Sequence, residues 1–456
     1  MLITEHVSGE IQFFTASGWQ TKFVLSDRNV ISASCKRQCC ADGAFEIGGV
    51  YASSLNLTCR LQNSNSFQMR GAKIILYSQY DNEENPCCIG TFWVTNATRS
   101  GEIFTLDAMD AVGWLSTSSR NYTDEQNQIF DSIAKYFESQ GYSRVIQNWF
   151  SVITQFVNLL LYRLTGVPDM LSWQNYEFSE NDNQRFCNEV IWNSESYFSP
   201  FLSTESGTGN TDCPQDLYHY LAEIAGGFIY AKPENGALTL GQFGQPKFGT
   251  AEIKSADLEA DTYEIADFQL QLLSVSVQSE ILNHSADMAI WTSSDNISGL
   301  SYFRYQLDSN PFIDGFVAGY IRGDAEKITD NLWTIANGLW DSLANYAGGV
   351  HIRPFQCTVH KKCRYHLGQN IKINDYESVI TSVTWTFRGG HTLACGGEDS
   401  RVMADCLRAS KGDKVREEAR NRCAALEQKI PKMNAMTQEA YANLEHPDEN
   451  TLYVIA

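Results

Sequence analysis

Residues 44–61 read AFEIGGVYASSLNLTCRL, and from Phe45 onward every odd position (Phe45, Ile47, Gly49, Tyr51, Ser53, Leu55, Leu57, Cys59, Leu61) is apolar or small. The even positions are mostly polar. Side chains on a strand alternate between its two faces, so the stretch predicts one long half-buried strand, or two strands pivoting about Gly48–Gly49.

Working outward, EIQFFTASGWQ and NVISASC precede this stretch, and AKIILYSQY, CIGTFWVTNATRSG and EIFTLDAMDAVGWL follow it. β-branched and aromatic residues separated by Asn, Gly, Asp and Pro predict successive strands, so residues 1–116 form a first β domain. From 117 to 215 the pattern changes. Thr123 with Gln126 can form a capping box ahead of Ile129, Ile133, Tyr136 and Phe137 at helical spacing. The run VIQNWFSVITQFVNLLLY (145–162) is interrupted by Gln147, Asn148, Ser151, Thr154, Gln155 and Asn158, which predicts a buried amphipathic helix and not a membrane span. Residues 117–215 therefore read as a helical or lateral insertion.

Pro214 opens PQDLYHYLAEIAGG, with Gly226–Gly227 as its stop, and FIYAKPENGALTLGQF follows as a hairpin, giving a helix-plus-hairpin unit over 216–248. Residues 249–397 read as a second β domain with a helical insertion near 327–345, since Val379, Thr381, Val383, Trp385 and Phe387 again alternate with polar partners. In the tail, 398–456, Val415, Ala419, Cys423, Leu426 and Ile430 share one helix face, either a coiled-coil stub or a face packed on the chain's own body. The fold class is β-rich α+β.

Bulk properties narrow the function. A formal net charge of −20 argues against a sequence-specific nucleic-acid-binding surface, since phosphate contacts need clustered Lys and Arg, although an acidic wall would let a polyanion pass without sticking. Thirteen cysteines behind a start that lacks a signal peptide predict reduced thiols and assembly in a cytoplasm. Cys35, Cys39, Cys40, Cys87 and Cys88 read as buried small hydrophobes.

No GxSxG, HExxH, GxxxxGK[ST] or GxGxxG pattern is present, which argues against an enzyme, and no catalytic residue or cofactor is assigned. The strongest metal-like constellation is CTVHKKCRYH, with Cys357, His360, Cys363 and His366 at three-residue spacing. Thiolate and imidazole suit zinc, but this spacing departs from paired-ligand knuckles and would point residues to different faces of a strand. The reading is no metal, with these four as the residues that would hold one, and Lys361–Lys362 as a basic turn.

The order of segments carries more than any one motif. AFEIGGVYASSLNLTCRL, then GAKIILYSQYDN, then IGTFWVTNATRSGEIFTLDAMDAVGWL resembles the N-terminal domain of phage tail hub proteins. LYHYLAEIAGGFIYAKPENGALTLGQF resembles that family's helix followed by a glycine-turned hairpin. HLGQNIKINDYESVITSVTWTFRGGHTLACGGE resembles its closing element, with Asn370 where Asp is common.

The resemblance implies two tail-tube-like β-barrel domains per chain and a homotrimer forming a pseudo-sixfold ring beneath a hexameric tail tube. It implies a distal-tail location in the virion (baseplate or tail tip), passage of genome and tape-measure protein, and contacts with the tail tube or distal tail protein and with tip, spike or fibre proteins. Contact with the host envelope at ejection follows. The ending MTQEAYANLEHPDENTLYVIA resembles an element near the ends of tail-tip and fibre proteins of phages of gut Gram-positive bacteria and reads as a docking element; Pro447-Asp448-Glu449-Asn450 would equally turn a hairpin on its own domain. Two readings from other classes are a tail-associated cell-wall hydrolase and a carbohydrate-binding receptor protein.

Overall fold

The computed structural model of the 456-residue chain describes residues 4–42, 44–62, 67–81, 83–117, 145–147, 165–174, 190–192, 214–244, 248–259, 262–279, 284–289, 300–307, 325–340, 352–360, 364–397, 407–408, 432–436 and 451–455, with single residues 154, 157, 158, 161, 162 and 310. Two compact units divide the chain, Met1–Arg408 and Ala409–Ala456.

In the first unit the alternating stretches become β1 (Glu5–Thr15), β2 (Gly18–Ser26), β3 (Val30–Gln38), β4 (Ser54–Arg60), β5 (Lys73–Tyr80), β6 (Cys87–Ser100) and β7 (Ile103–Met109). A short helix α1 (Ala111–Thr117) follows. Asp110 begins it, its Oδ1 accepting the Val112 N–H at 3.0 Å. Then come α2 (Pro214–Ala225) and a hairpin of β8 (Phe228–Ala231) and β9 (Leu238–Gly241). Gly226 (φ 68°) ends α2: its N–H donates to Glu223 O at 3.2 Å and that of Gly227 to Ala222 O at 3.0 Å, the paired bonds of a Schellman cap. From the C-terminal half come β10 (Glu264–Ile265), β11 (Phe355–Val359), β12 (Ser382–Thr386) and β13 (Gly390–Cys395).

Eleven of these strands form one sheet in the order β10-β11-β13-β12-β3-β4-β7-β6-β5-β1-β2. Every pairing in it is antiparallel. The two alternating halves of the sequence thus share a sheet, joined where β12 lies beside β3 with Trp385 opposite Cys35. Among the described residues the ladder does not return on itself.

The sheet curls round its apolar face instead. Val7, Ile11, Leu57, Ile74, Leu76, Phe92 and Leu106 share one buried cluster with Trp385. Each such side chain contributes on the order of 2 kcal/mol by leaving water.

A second cluster gathers around α1, α2 and the hairpin. Here α3 (Ala325–Trp340), which covers most of the span expected to be helical, buries Leu332, Ile335, Ala336 and Leu339. It packs on a four-stranded mixed sheet of Gln269–Ser279, His284–Ala289, Leu300–Leu307 and Leu407–Arg408. A three-stranded sheet joins Ala251–Ile253 to Asn370–Ile373 and Tyr376–Val379.

Two expectations change. Val145–Gln147 is a strand, paired with Val190–Trp192, so the helix read over 145–162 does not begin there; its described helical residues bury Thr154, Val157 and Leu161 and expose Tyr162. No helix among the described residues is long and apolar enough to cross a membrane. In the second unit Thr451–Ile455 pairs with Lys432–Met436 in parallel, which a tight hairpin turn at 447–450 cannot produce. The helix read around Ile129 and the tail face from Val415 to Ile430 lie outside the described residues.

Candidate functional site

The face of the sheet opposite its core is built from the outward positions of the alternating strands, even-numbered in β3, β4 and β12 and odd-numbered in β7. Directly opposed residues on neighbouring strands share a face, so the register arranges these side chains in rows. One row runs Thr386–Ser34–Asn56–Asp107–Asn96 across β12, β3, β4, β7 and β6, and the next runs Ser32–Thr58–Thr105–Thr98. A third runs Thr358–Thr392–Thr384–Lys36–Ser54 from β11 to β4.

These side chains satisfy one another laterally. Thr358 and Thr392 hydroxyls lie 3.1 Å apart, those of Thr58 and Thr105 3.4 Å apart, and Asp107 accepts from Asn56 Nδ2 at 2.7 Å and Asn96 Nδ2 at 3.2 Å. Lys36 is neutralised by Asp42, its Nζ 2.8 Å from both carboxylate oxygens. The face is rich in hydroxyl and amide groups. On it lies a depression of about 310 Å³ lined by Lys36, Asp42, Gln356, Ser382, Thr384 and Thr392, among others.

The opening stretch supplies both this face and its anchor. From Ser53 to Leu61 the alternation holds as expected, with Leu55, Leu57 and Cys59 buried and Ser54, Asn56 and Arg60 exposed. Residues 45–50 depart from it: all six are buried, and they run beside the hairpin instead of forming a sheet strand. The Gly48 N–H donates to Gly227 O at 2.7 Å, and Gly49 O accepts from the Ile229 N–H at 2.9 Å. Gly48 has φ 85°, and a Cβ on Gly49 would lie 1.9 Å from Cys39 O. The glycine pair is therefore a point of close backbone approach and not a bend in a regular strand.

Around it lies a buried polar cluster that no sequence pattern marked. His219 Nδ1 contacts Gly48 O, and Nε2 lies 3.0 Å from Glu223 Oε1. Burial alone would lower the imidazolium pKa, but the Glu223 carboxylate, the Gly48 carbonyl and Glu46 together raise it above its ordinary value. Asn310 Nδ2 donates to Tyr220 O at 2.9 Å and lies 3.3 Å from Glu223 Oε2.

The residues considered for a metal go to different surroundings. Cys357 is fully buried in β11, with burial pushing its thiol pKa up to about 12. The His360 side chain is 49% exposed and 3.5 Å from Glu259, and His366 stacks on Phe248 with ring centres 4.0 Å apart. Cys363 lies outside the described residues. Among the described residues no group of three or more His, Cys, Asp or Glu is placed to hold a metal ion. Cys35, Cys39 and Cys40 are buried free thiols, and Cys87 and Cys88 are partly buried.

No protein-family model and no curated protein matches this sequence. Among solved structures the chain is similar to the 43 kDa tail protein of prophage MuSo2 from Shewanella oneidensis, at 9% identity and a TM-score of 0.41, over 86% of this chain and 98% of that one. It is similar to a tail protein from Neisseria meningitidis MC58 at 9% identity and a TM-score of 0.40, over 89% of this chain and 99% of that one. It is also similar to the prophage tail protein gp18 from Listeria monocytogenes EGD-e at 9% identity and a TM-score of 0.40, over 88% of this chain and 97% of that one.

Proposed function

We propose that this chain is a non-enzymatic structural hub at the distal end of a phage or prophage tail, acting as a homotrimer whose curled sheets line a passage for genome and tape-measure protein. The observation that carries this reading is the set of Ser, Thr and Asn rows crossing β12, β3, β4, β7 and β6. A wall for a moving polyanion must be wetted, so that it is not an apolar trap, and must lack unpaired cations that would hold phosphates. Lateral hydroxyl and amide pairs meet the first condition, and the pairing of Lys36 with Asp42 supports the second. The ordered resemblance of the three segments to tail hub proteins points the same way.

In this reading the tail tube or distal tail protein stacks on one side of the ring and tip, spike or fibre proteins on the other. Native mass measurement of the full chain, followed by negative-stain imaging, tests it. A trimeric ring with a central opening is expected. A monomer at all concentrations, or peptidoglycan cleavage by the purified chain in a zymogram, would replace the hub with a different class of protein.

A further inference from the structure

His219 projects from α2 into the junction where residues 45–50 pass α2 and the β8–β9 hairpin. Both of its ring nitrogens face electron-rich oxygens, the Gly48 carbonyl at Nδ1 and the Glu223 carboxylate at Nε2. A neutral imidazole carries one N–H and can serve only one of these, whereas an imidazolium serves both. The surroundings match the cation. Glu223 is 2% exposed and Glu46 8%, so two carboxylates are buried beside this ring.

Other titratable and polar groups also pack on the junction. Tyr51 donates to Glu46 from the same segment, Cys40 Sγ lies 3.4 Å from Glu46 O, and burial pushes the Cys39 thiol well up. From the mixed sheet, Tyr305 OH donates to Glu223 O at 3.3 Å.

We propose that His219 is a proton-controlled clasp that pins residues 45–50 to α2 and releases them when it loses its proton. The proposal is independent of the hub reading. In the clasped state Nδ1–H donates to Gly48 O, and the positive ring balances Glu223. On deprotonation the proton passes to solvent, and either Gly48 O loses its donor or Glu223 faces a lone pair in a buried site. The segment then relies on the Gly48–Gly227 and Gly49–Ile229 backbone bonds and on Gln215 Nε2, which donates to Val50 O at 2.8 Å.

The sign follows from linkage. A histidine whose folded pKa is raised gives stabilisation that is complete below about 6.5 and lost as pH rises through the folded value. Opening of the segment should increase about tenfold for each unit by which that value exceeds 6.5.

The test uses the full chain labelled with ¹⁵N-histidine, together with hydrogen exchange of peptides covering 45–50 and 227–229. His219 is expected to stay doubly protonated above about pH 6.5, and protection corrected for intrinsic exchange is expected to fall as it titrates. In His219→Gln, protection should be lower and independent of pH over this range. In Glu223→Gln, which keeps the shape of the site, His219 should titrate lower than in the unmodified chain, because the largest influence opposing burial is gone. Titration of His219 below 6.5 in the unmodified chain, or equal protection in the chain and in His219→Gln, overturns the clasp.

Discussion

Trp385 Nε1 donates a 2.7 Å hydrogen bond to Glu5 Oε1, joining β12 to β1, which stand six places apart in the sheet. The same carboxylate accepts from Ser78 Oγ at 2.6 Å and from the Arg388 N–H at 2.6 Å, so three donors converge on a group that is 4% exposed. The sheet is curled enough for a side chain to span it where no backbone ladder does.

Glu5→Gln tests that link. The amide replaces one acceptor oxygen with donors in a site already filled by donors, so a loss of about 2 kcal/mol in unfolding free energy is expected, and about 3 to 5 kcal/mol for Glu5→Ala. The urea midpoint measures it, with the partly exposed Glu10→Gln as the control expected to shift less.

Gly49→Ala tests the close approach of the opening stretch. Its new Cβ would meet backbone, Cys39 O at 1.9 Å, and backbone cannot swing aside as a side chain can. A loss of at least about 3 kcal/mol, or no soluble protein, is expected. Gly101→Ala, at φ 63° with nothing within 4 Å, should lose only about 1 kcal/mol from backbone strain. Thermal melts of the two variants should separate clearly.

His391 behaves oppositely to His219. It is fully buried in β13, neither ring nitrogen has a hydrogen-bond partner among the described residues, and burial, with Arg37 and His360 nearby, holds its pKa at about 3. A histidine depressed on folding gives stability that is present above about 6.5 and lost as pH falls towards 3, at about 1.4 kcal/mol per pH unit. His391→Leu should remove that component from the acid limb. Urea unfolding of both chains from neutral pH down to about pH 4 measures the difference in slope, and equal slopes would show that His391 is protonated without penalty.

The buried thiols give a fourth expectation. Burial pushes the pKa values of Cys35, Cys59 and Cys395 up to about 12, leaving a negligible thiolate fraction near neutral pH. Iodoacetamide should leave all three unmodified in the native chain and label them in guanidinium, with peptide mass spectrometry as the readout.

The hydroxyl face was legible as the even positions of strands such as SLNLTCR, because period-two alternation records which face meets water. The ends of α2 were legible too, since Pro and Gly act through their own backbone geometry. His219, Glu5 and His391 were not, because a single polar residue carries no spacing signal and its partners lie up to 383 residues away.

By itself the sequence determined the faces and ends of the elements, which depend on side-chain periodicity and local backbone preference. Only the tertiary structure decided that β3 takes β12 as a neighbour, and that residues 45–50 leave the alternation to lie against α2 and the hairpin. Ladder partners bond through N–H and C=O groups that are chemically alike along the whole chain, so their choice rests on how the two apolar clusters close.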